Sequence, residues 1–204
     1  MAEERIFFDS GKLKIEGLLD RSLGHKGVVV THPHPLYGGT MHNAVVKSIV
    51  RAYHNSGYST FRFNFRGVER SEGGYDYGIG EQEDVRSAVK ALAALGTTSI
   101  DLAGYSFGAW VNAVGLKTFE EVGRMIMVSP PVNLLNFDAL SADPRVRLVI
   151  TGDKDEIAPA KAVEEKVPDW NSEATFLIIP EADHFFNGKT HAIEAVIREF
   201  LVNS

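Results

Sequence analysis

The chain has 204 residues, 44% hydrophobic and 24% charged, a composition that excludes disorder and reads as one globular domain spanning 1–204. Its formal net charge of −6 excludes a nucleic-acid binder, which needs a basic face to neutralise phosphates, and reads as a provision for solubility. The absence of cysteine removes disulfides, a thiol nucleophile and thiolate metal sites together.

The chain opens on Met1-Ala2-Glu3-Glu4-Arg5, which is acidic and leads into no apolar stretch, so no secretory signal is expected. No apolar run nears the roughly 20 residues that cross a bilayer, and a cytoplasmic protein without a membrane partner is the expectation. Residues 5–9 and 12–20 predict two strands around a Ser-Gly turn, hence an antiparallel pair. Residues 27–31, with Val28-Val29-Val30, predict a strand buried on both faces. Residues 41–56 carry Val45, Val46, Ile49, Val50 and Tyr53 at helical spacing, closed by Gly57. A strand over 58–65, a helix over 80–95, a strand over 99–104 and a helix over 107–119 follow. Strands at 124–128 and 147–151 come next, with a short helix or loop between them. A helix at 159–167, a strand at 174–179 and a helix at 190–202 complete the chain. The pattern predicts a mostly parallel eight-stranded sheet with helices on both faces. Such a fold keeps its chemistry in the loops past the carboxyl ends of its strands.

Three residues at those ends form a set. Gly104-Tyr105-Ser106-Phe107-Gly108 is a G-x-S-x-G sequence between an apolar strand and an apolar helix, the context of a nucleophile elbow. A glycine-flanked serine serving only as a helix N-cap is the bland alternative. A serine hydroxyl needs a base. His184 follows the last strand, and Asp155 follows the strand before it, able to accept the second ring N–H. Asp153 competes with Asp155 but is expected to shape the 152–154 turn, and Asp183 to brace the His184 loop. The loop Thr31-His32-Pro33-His34-Pro35-Leu36-Tyr37 follows the third strand. With the amide of Phe107, it is expected to supply an oxyanion donor. The prolines have no N–H, so the donor is His34 or Leu36, with His34 preferred by position. His32, His34 and His42 lie close in sequence, but no acidic ligand or zinc-protease spacing completes a metal site, and no metal is expected.

Over its whole length the chain resembles the α/β-hydrolases. Its HPHPLYGGTMHN and FRFNFRGVERSEG segments are similar to a compact bacterial group of that superfamily known broadly as hydrolases or esterases. The resemblance implies an α/β-hydrolase fold, a Ser106–His184–Asp155 triad, acyl-enzyme chemistry and no cofactor, and it says little about the substrate. The short segments between strands predict no cap domain, and a small-molecule acyl substrate is the expected partner. Relatives with a cysteine or aspartate nucleophile are set aside, because this elbow carries serine. A small carboxylic ester is the expected substrate. Thioesterase or peptidase chemistry on the same triad, or a non-catalytic module that kept the fold, are the alternatives.

Arg66, Glu69 and Arg70 are expected to anchor their loop by ion pairing rather than to bind a substrate carboxylate. Tyr37, Tyr105, Phe107, Phe185 and Phe186 are candidates to line an acyl pocket or to sit in the core. The glycine-rich stretch 66–79 reads as a flap over an open site, with no inserted helix to act as a lid.

Overall fold

The computed structural model describes residues 3–203. Among them, eight strands form one sheet in the order β1-β2-β4-β3-β5-β6-β7-β8. The strands are β1 (Glu4–Ser10), β2 (Leu13–Asp20), β3 (Lys26–Thr31), β4 (Ser59–Phe63), β5 (Ser99–Tyr105), β6 (Val122–Val128), β7 (Val146–Gly152) and β8 (Thr175–Ile179). β2 runs antiparallel to both β1 and β4, and the strands from β4 to β8 are parallel. The helices are α1 (Ala44–Asn55), α2 (Ile79–Ala94), α3 (Phe107–Gly115), α4 (Ala160–Asn171) and α5 (Thr190–Val202).

The two-residue period of the strands sorts side chains into two cores. Val29 faces the side covered by α2, α3 and α4, where it joins Val85, Val89 and Val111. Val28 and Val30 face the side covered by α1 and α5, with Val46, Ile49, Ile193 and Ile197. Each fully buried valine contributes about 1.5–3 kcal/mol relative to exposure, so β3 is held from both faces. Helices on both faces with no inserted cap among the described residues give the α/β-hydrolase architecture.

Several elements differ from the sequence expectation at their ends. α1 starts at Ala44 rather than at 41, because the Asn43 side chain accepts the Val45 N–H at 2.8 Å and fixes the N-cap there. β4 stops at Phe63, and the Phe65 N–H turns to the His32 ring at 2.9 Å. Asn64, between them, still donates its N–H to the Glu16 carbonyl of β2 at 2.9 Å. Its amide oxygen accepts the Met41 N–H at 2.8 Å, and its amide nitrogen donates to Glu16 and Glu69. α4 continues through Pro168 to bury Trp170. The chain between β6 and β7 makes turns and no helix.

The 66–79 segment is tied down rather than loose. Arg66 pairs with the buried Asp84 of α2 at 2.8 Å, with Ser10 donating to the same carboxylate. Glu72 accepts the Lys14 N–H through its side chain, and its own N–H donates to the Lys14 carbonyl. Its glycines serve turns: Gly67, Gly73 and Gly78 all have positive φ. Glu69 accepts from Asn64, whereas Arg70 is held through its backbone N–H to Glu16 and forms no ion pair among the described residues.

Candidate active site

β5 ends in a turn that only glycine permits on either side of the serine. A Cβ on Gly104 would lie 2.6 Å from the Ala109 nitrogen. One on Gly108 would lie 2.7 Å from the His32 carbonyl oxygen. The close approach at Gly108 presses the start of α3 against the loop that leaves β3. Ser106 itself sits at φ 53°, a conformation that costs a non-glycine residue free energy, and its N–H is held by the Val128 carbonyl at 2.9 Å.

The structure brings Ser106, His184 and Asp155 together from three strand ends. The Ser106 hydroxyl lies 2.9 Å from His184 Nε2, and His184 Nδ1 lies 2.9 Å from Asp155 Oδ2. Asp155 Oδ1 accepts the Ile157 and Ala158 N–H groups at 2.9 and 2.7 Å, so its plane is fixed independently of the histidine. Burial alone would raise the Asp155 carboxyl. The hydrogen bond and charge of His184, with the Ala158 amide, outweigh it and hold the group below the usual carboxylate range. The acid is therefore ionised at neutral pH and fixes the proton on Nδ1, leaving Nε2 to accept from serine.

The loops carrying Asp155 and His184 are stitched to each other. The Lys154 N–H donates to the Ala182 carbonyl at 3.0 Å, and Lys154 and Glu181 form a surface ion pair. Tyr105 donates its buried hydroxyl to the His184 carbonyl at 2.8 Å, and burial above all raises that hydroxyl so that it stays a donor. Tyr105, Phe107 and Phe186 are thus core residues, while Tyr37 and Phe185 are exposed. Asp183 braces the histidine loop by accepting from the Asn187 side chain at 2.9 Å and its N–H at 3.2 Å. Asp153 does not make the expected turn contact. Its carboxylate points to solvent and accepts no hydrogen bond among the described residues, because the turn is closed by backbone bonds instead.

In the β3 loop, the Leu36 N–H is taken by the His34 ring, donating to Nδ1 at 3.2 Å. The His34 and Phe107 N–H groups have no acceptor among the described residues, and the His34 ring lies 4.7 Å from that of Phe107. His32 has a role the sequence did not reveal. It is fully buried, its Nε2 accepts the Phe65 N–H at 2.9 Å, and its Nδ1–H therefore donates to the Pro33 carbonyl at 2.6 Å. Burial foremost pushes its pKa down to about 4, so it is a neutral clamp at the root of the loop. His42 sits instead beside Glu69, 3.6 Å away. No cluster of three or more metal-ligating side chains occurs among the described residues, and no helix among them is long and apolar enough to cross a membrane.

No protein-family model matches the chain. It is 32% identical over 210 residues to an uncharacterized protein of Rickettsia prowazekii, covering 97% of this chain and 88% of that one. An α/β serine hydrolase homologue from Coxiella burnetii aligns over 98% of both chains at 33% identity and a TM-score of 0.91. A lidless α/β serine hydrolase from Xanthomonas campestris aligns over 98% of this chain and 94% of that chain, at 30% identity and a TM-score of 0.91. A likeness that runs from end to end leaves no part of the sheet to a different ancestry: the chain belongs to the α/β-hydrolase superfamily.

Proposed function

We propose that the protein is a serine hydrolase that cleaves a small carboxylic ester through an acyl-enzyme on Ser106. The observation that carries this reading is the unbroken relay from Asp155 through His184 to the Ser106 hydroxyl, each link at 2.9 Å. His184 takes the serine proton as Oγ attacks the ester carbonyl, and the Asp155 carboxylate stabilises the imidazolium that forms. The unoccupied N–H groups of Phe107 and His34 are the donors for the oxyanion, at the N-terminal end of α3 where developing negative charge is favoured. His184 Nε2–H then protonates the leaving alkoxide. In the second half the same nitrogen takes a proton from water as the water oxygen attacks the acyl carbonyl. The bond to Oγ then breaks, His184 returns the proton to Ser106, and the carboxylic acid leaves. No cofactor, nucleic acid or membrane enters this chemistry.

The test is mass spectrometry of the protein after exposure to an alkyl fluorophosphonate. One adduct at Ser106, absent in Ser106→Ala, together with turnover of small esters, is the expected result. Stoichiometric labelling elsewhere, or no labelling of a folded protein, rejects the assignment.

A further inference from the structure

Exposed apolar side chains crowd the sheet end that carries the triad. Leu36, Tyr37, Tyr77, Ile79 and Phe185 are all exposed, in or at the edge of the loops after β3, β4 and β8. Several of the rings join into a ladder. His34 lies 4.9 Å from Tyr37, 5.0 Å from Tyr75 and 4.7 Å from Phe107, and Tyr75 lies 5.1 Å from Tyr77. Phe107 follows the nucleophile directly, and His34 offers the loop amide beside it. The ladder thus begins at the buried Phe107, next to Ser106 in the chain, and runs outward to Tyr37, 88% exposed, and Tyr77, 76% exposed.

This wall is built by specific interactions. Tyr77 has φ 51°, in the left-handed region that a bulky residue avoids. The buried Glu81 carboxylate holds it there by accepting the Asp76 and Gly78 N–H groups at 2.9 and 2.8 Å. Gly78 lies flat on Trp110, where any Cβ would collide with the indole, and the indole N–H is fixed by the Asn136 carbonyl at 2.6 Å. The strain at Tyr77 leaves its ring mostly in water, so the ring itself returns little to folding through burial. A ligand that covers the ring supplies the return. The rings are tilted 41–54° to one another, and the exposed rings of Tyr37 and Tyr77 suit a planar conjugated group, face-on or edge-on, better than a saturated one, which gains contact area but no quadrupole match. Burial lowers the His34 pKa, so its ring joins the wall uncharged.

We propose that His34, Tyr37, Tyr75 and Tyr77 form an aromatic wall for an aromatic group, and that the substrate is an aryl-bearing ester with its ring on the acid or the alcohol side. This rests on the esterase reading and narrows it.

The test starts from equilibrium binding to Ser106→Ala, followed by NMR. The acid-side pair is methyl 3-phenylpropanoate against methyl 3-cyclohexylpropanoate. The alcohol-side pair is benzyl acetate against cyclohexylmethyl acetate. The phenyl member of one pair is expected to bind about tenfold tighter, the scale of one or two ring contacts, and the pair that responds identifies the side. Adding Tyr37→Leu and Tyr77→Asn is expected to bring that ratio close to one. Asparagine tolerates positive φ, so the second change removes the ring without adding strain. Ratios near one in both pairs, or a ratio that survives the double substitution, overturn the wall. Turnover of the same four esters by the unsubstituted protein separates the two readings. Ring preference without hydrolysis sinks the hydrolase and spares the wall, whereas hydrolysis without ring preference does the reverse.

Discussion

Asp153 and Asp155 stand two positions apart past the same strand, yet only Asp155 accepts from His184, Ile157 and Ala158. Asp155→Asn is therefore expected to lower kcat on the order of 10³–10⁴-fold, because an amide no longer fixes the imidazole tautomer or stabilises its cation. Asp153→Asn is expected to leave kcat within about twofold and stability within about 0.5 kcal/mol, as for an exposed side chain without partners. Steady-state kinetics on both variants checks this, and reversed severities transfer the role. His32 makes a second residue-level prediction. Its folded pKa of about 4 lies below the ordinary 6.5, so between those values the unfolded chain binds a proton that the native protein refuses. Stability from this group is complete above pH 6.5 and falls by about 1.4 kcal/mol per unit as pH drops toward 4, about 3 kcal/mol in all. Urea midpoints of the wild type and His32→Gln across this range should differ by that slope. Parallel pH profiles would show that His32 is not buried neutral. The meeting of Ser106, His184 and Asp155 was legible because each is polar and stands just beyond an apolar strand. His32 was not, because its partners, the Phe65 N–H and the Pro33 carbonyl, are backbone groups that no side-chain motif announces.

Among the elements, the apolar period of each strand and helix gave the order and the two-sided sheet, while ends decided by distant partners stayed hidden. β4 ends where the Phe65 N–H turns to the His32 ring, and nothing in FRFNF marks that departure from the ladder. The glycines of 66–79 resemble those of a flap, but hydrogen bonds to β2 and α2 hold the segment in turns. The elbow is the element whose sequence and shape agree most closely, and it yields a paired prediction. Gly104→Ala puts a methyl 2.6 Å from backbone and is expected to destabilise by about 1–3 kcal/mol through overpacking. Gly123→Ala in β6 meets nothing within 4 Å and is expected to be neutral or to stabilise by up to about 1 kcal/mol, by restricting the unfolded chain. Equal urea midpoints for the two variants would mean that the turn relaxes and that the tight approach of α3 to β5 is not required.

At the scale of the molecule, the question is how an acyl chain would meet Ser106. The helices among the described residues are all used to cover the sheet: α1 and α5 on one face, α2, α3 and α4 on the other. None is left to close over the triad, and the loops around it are short or tied down. A lipase-type lid works by presenting its apolar face to a lipid surface and uncovering a deep channel, and neither a lid nor its hinge occurs among the described residues. An alkyl chain would lie along an open wall, still largely in water, so each added methylene would gain well under the ~0.8 kcal/mol of full burial. With a constant p-nitrophenyl leaving group, kcat/KM is expected to peak at short acyl chains and to show no jump as substrate passes its micelle concentration. Assays from acetate to decanoate, each run below and above that concentration, check both points. A maximum at long chains would require a channel that closes around the substrate. A jump at micelle formation would require a segment that opens at the interface, and either result would make the open, solvent-facing arrangement of these loops only one of two.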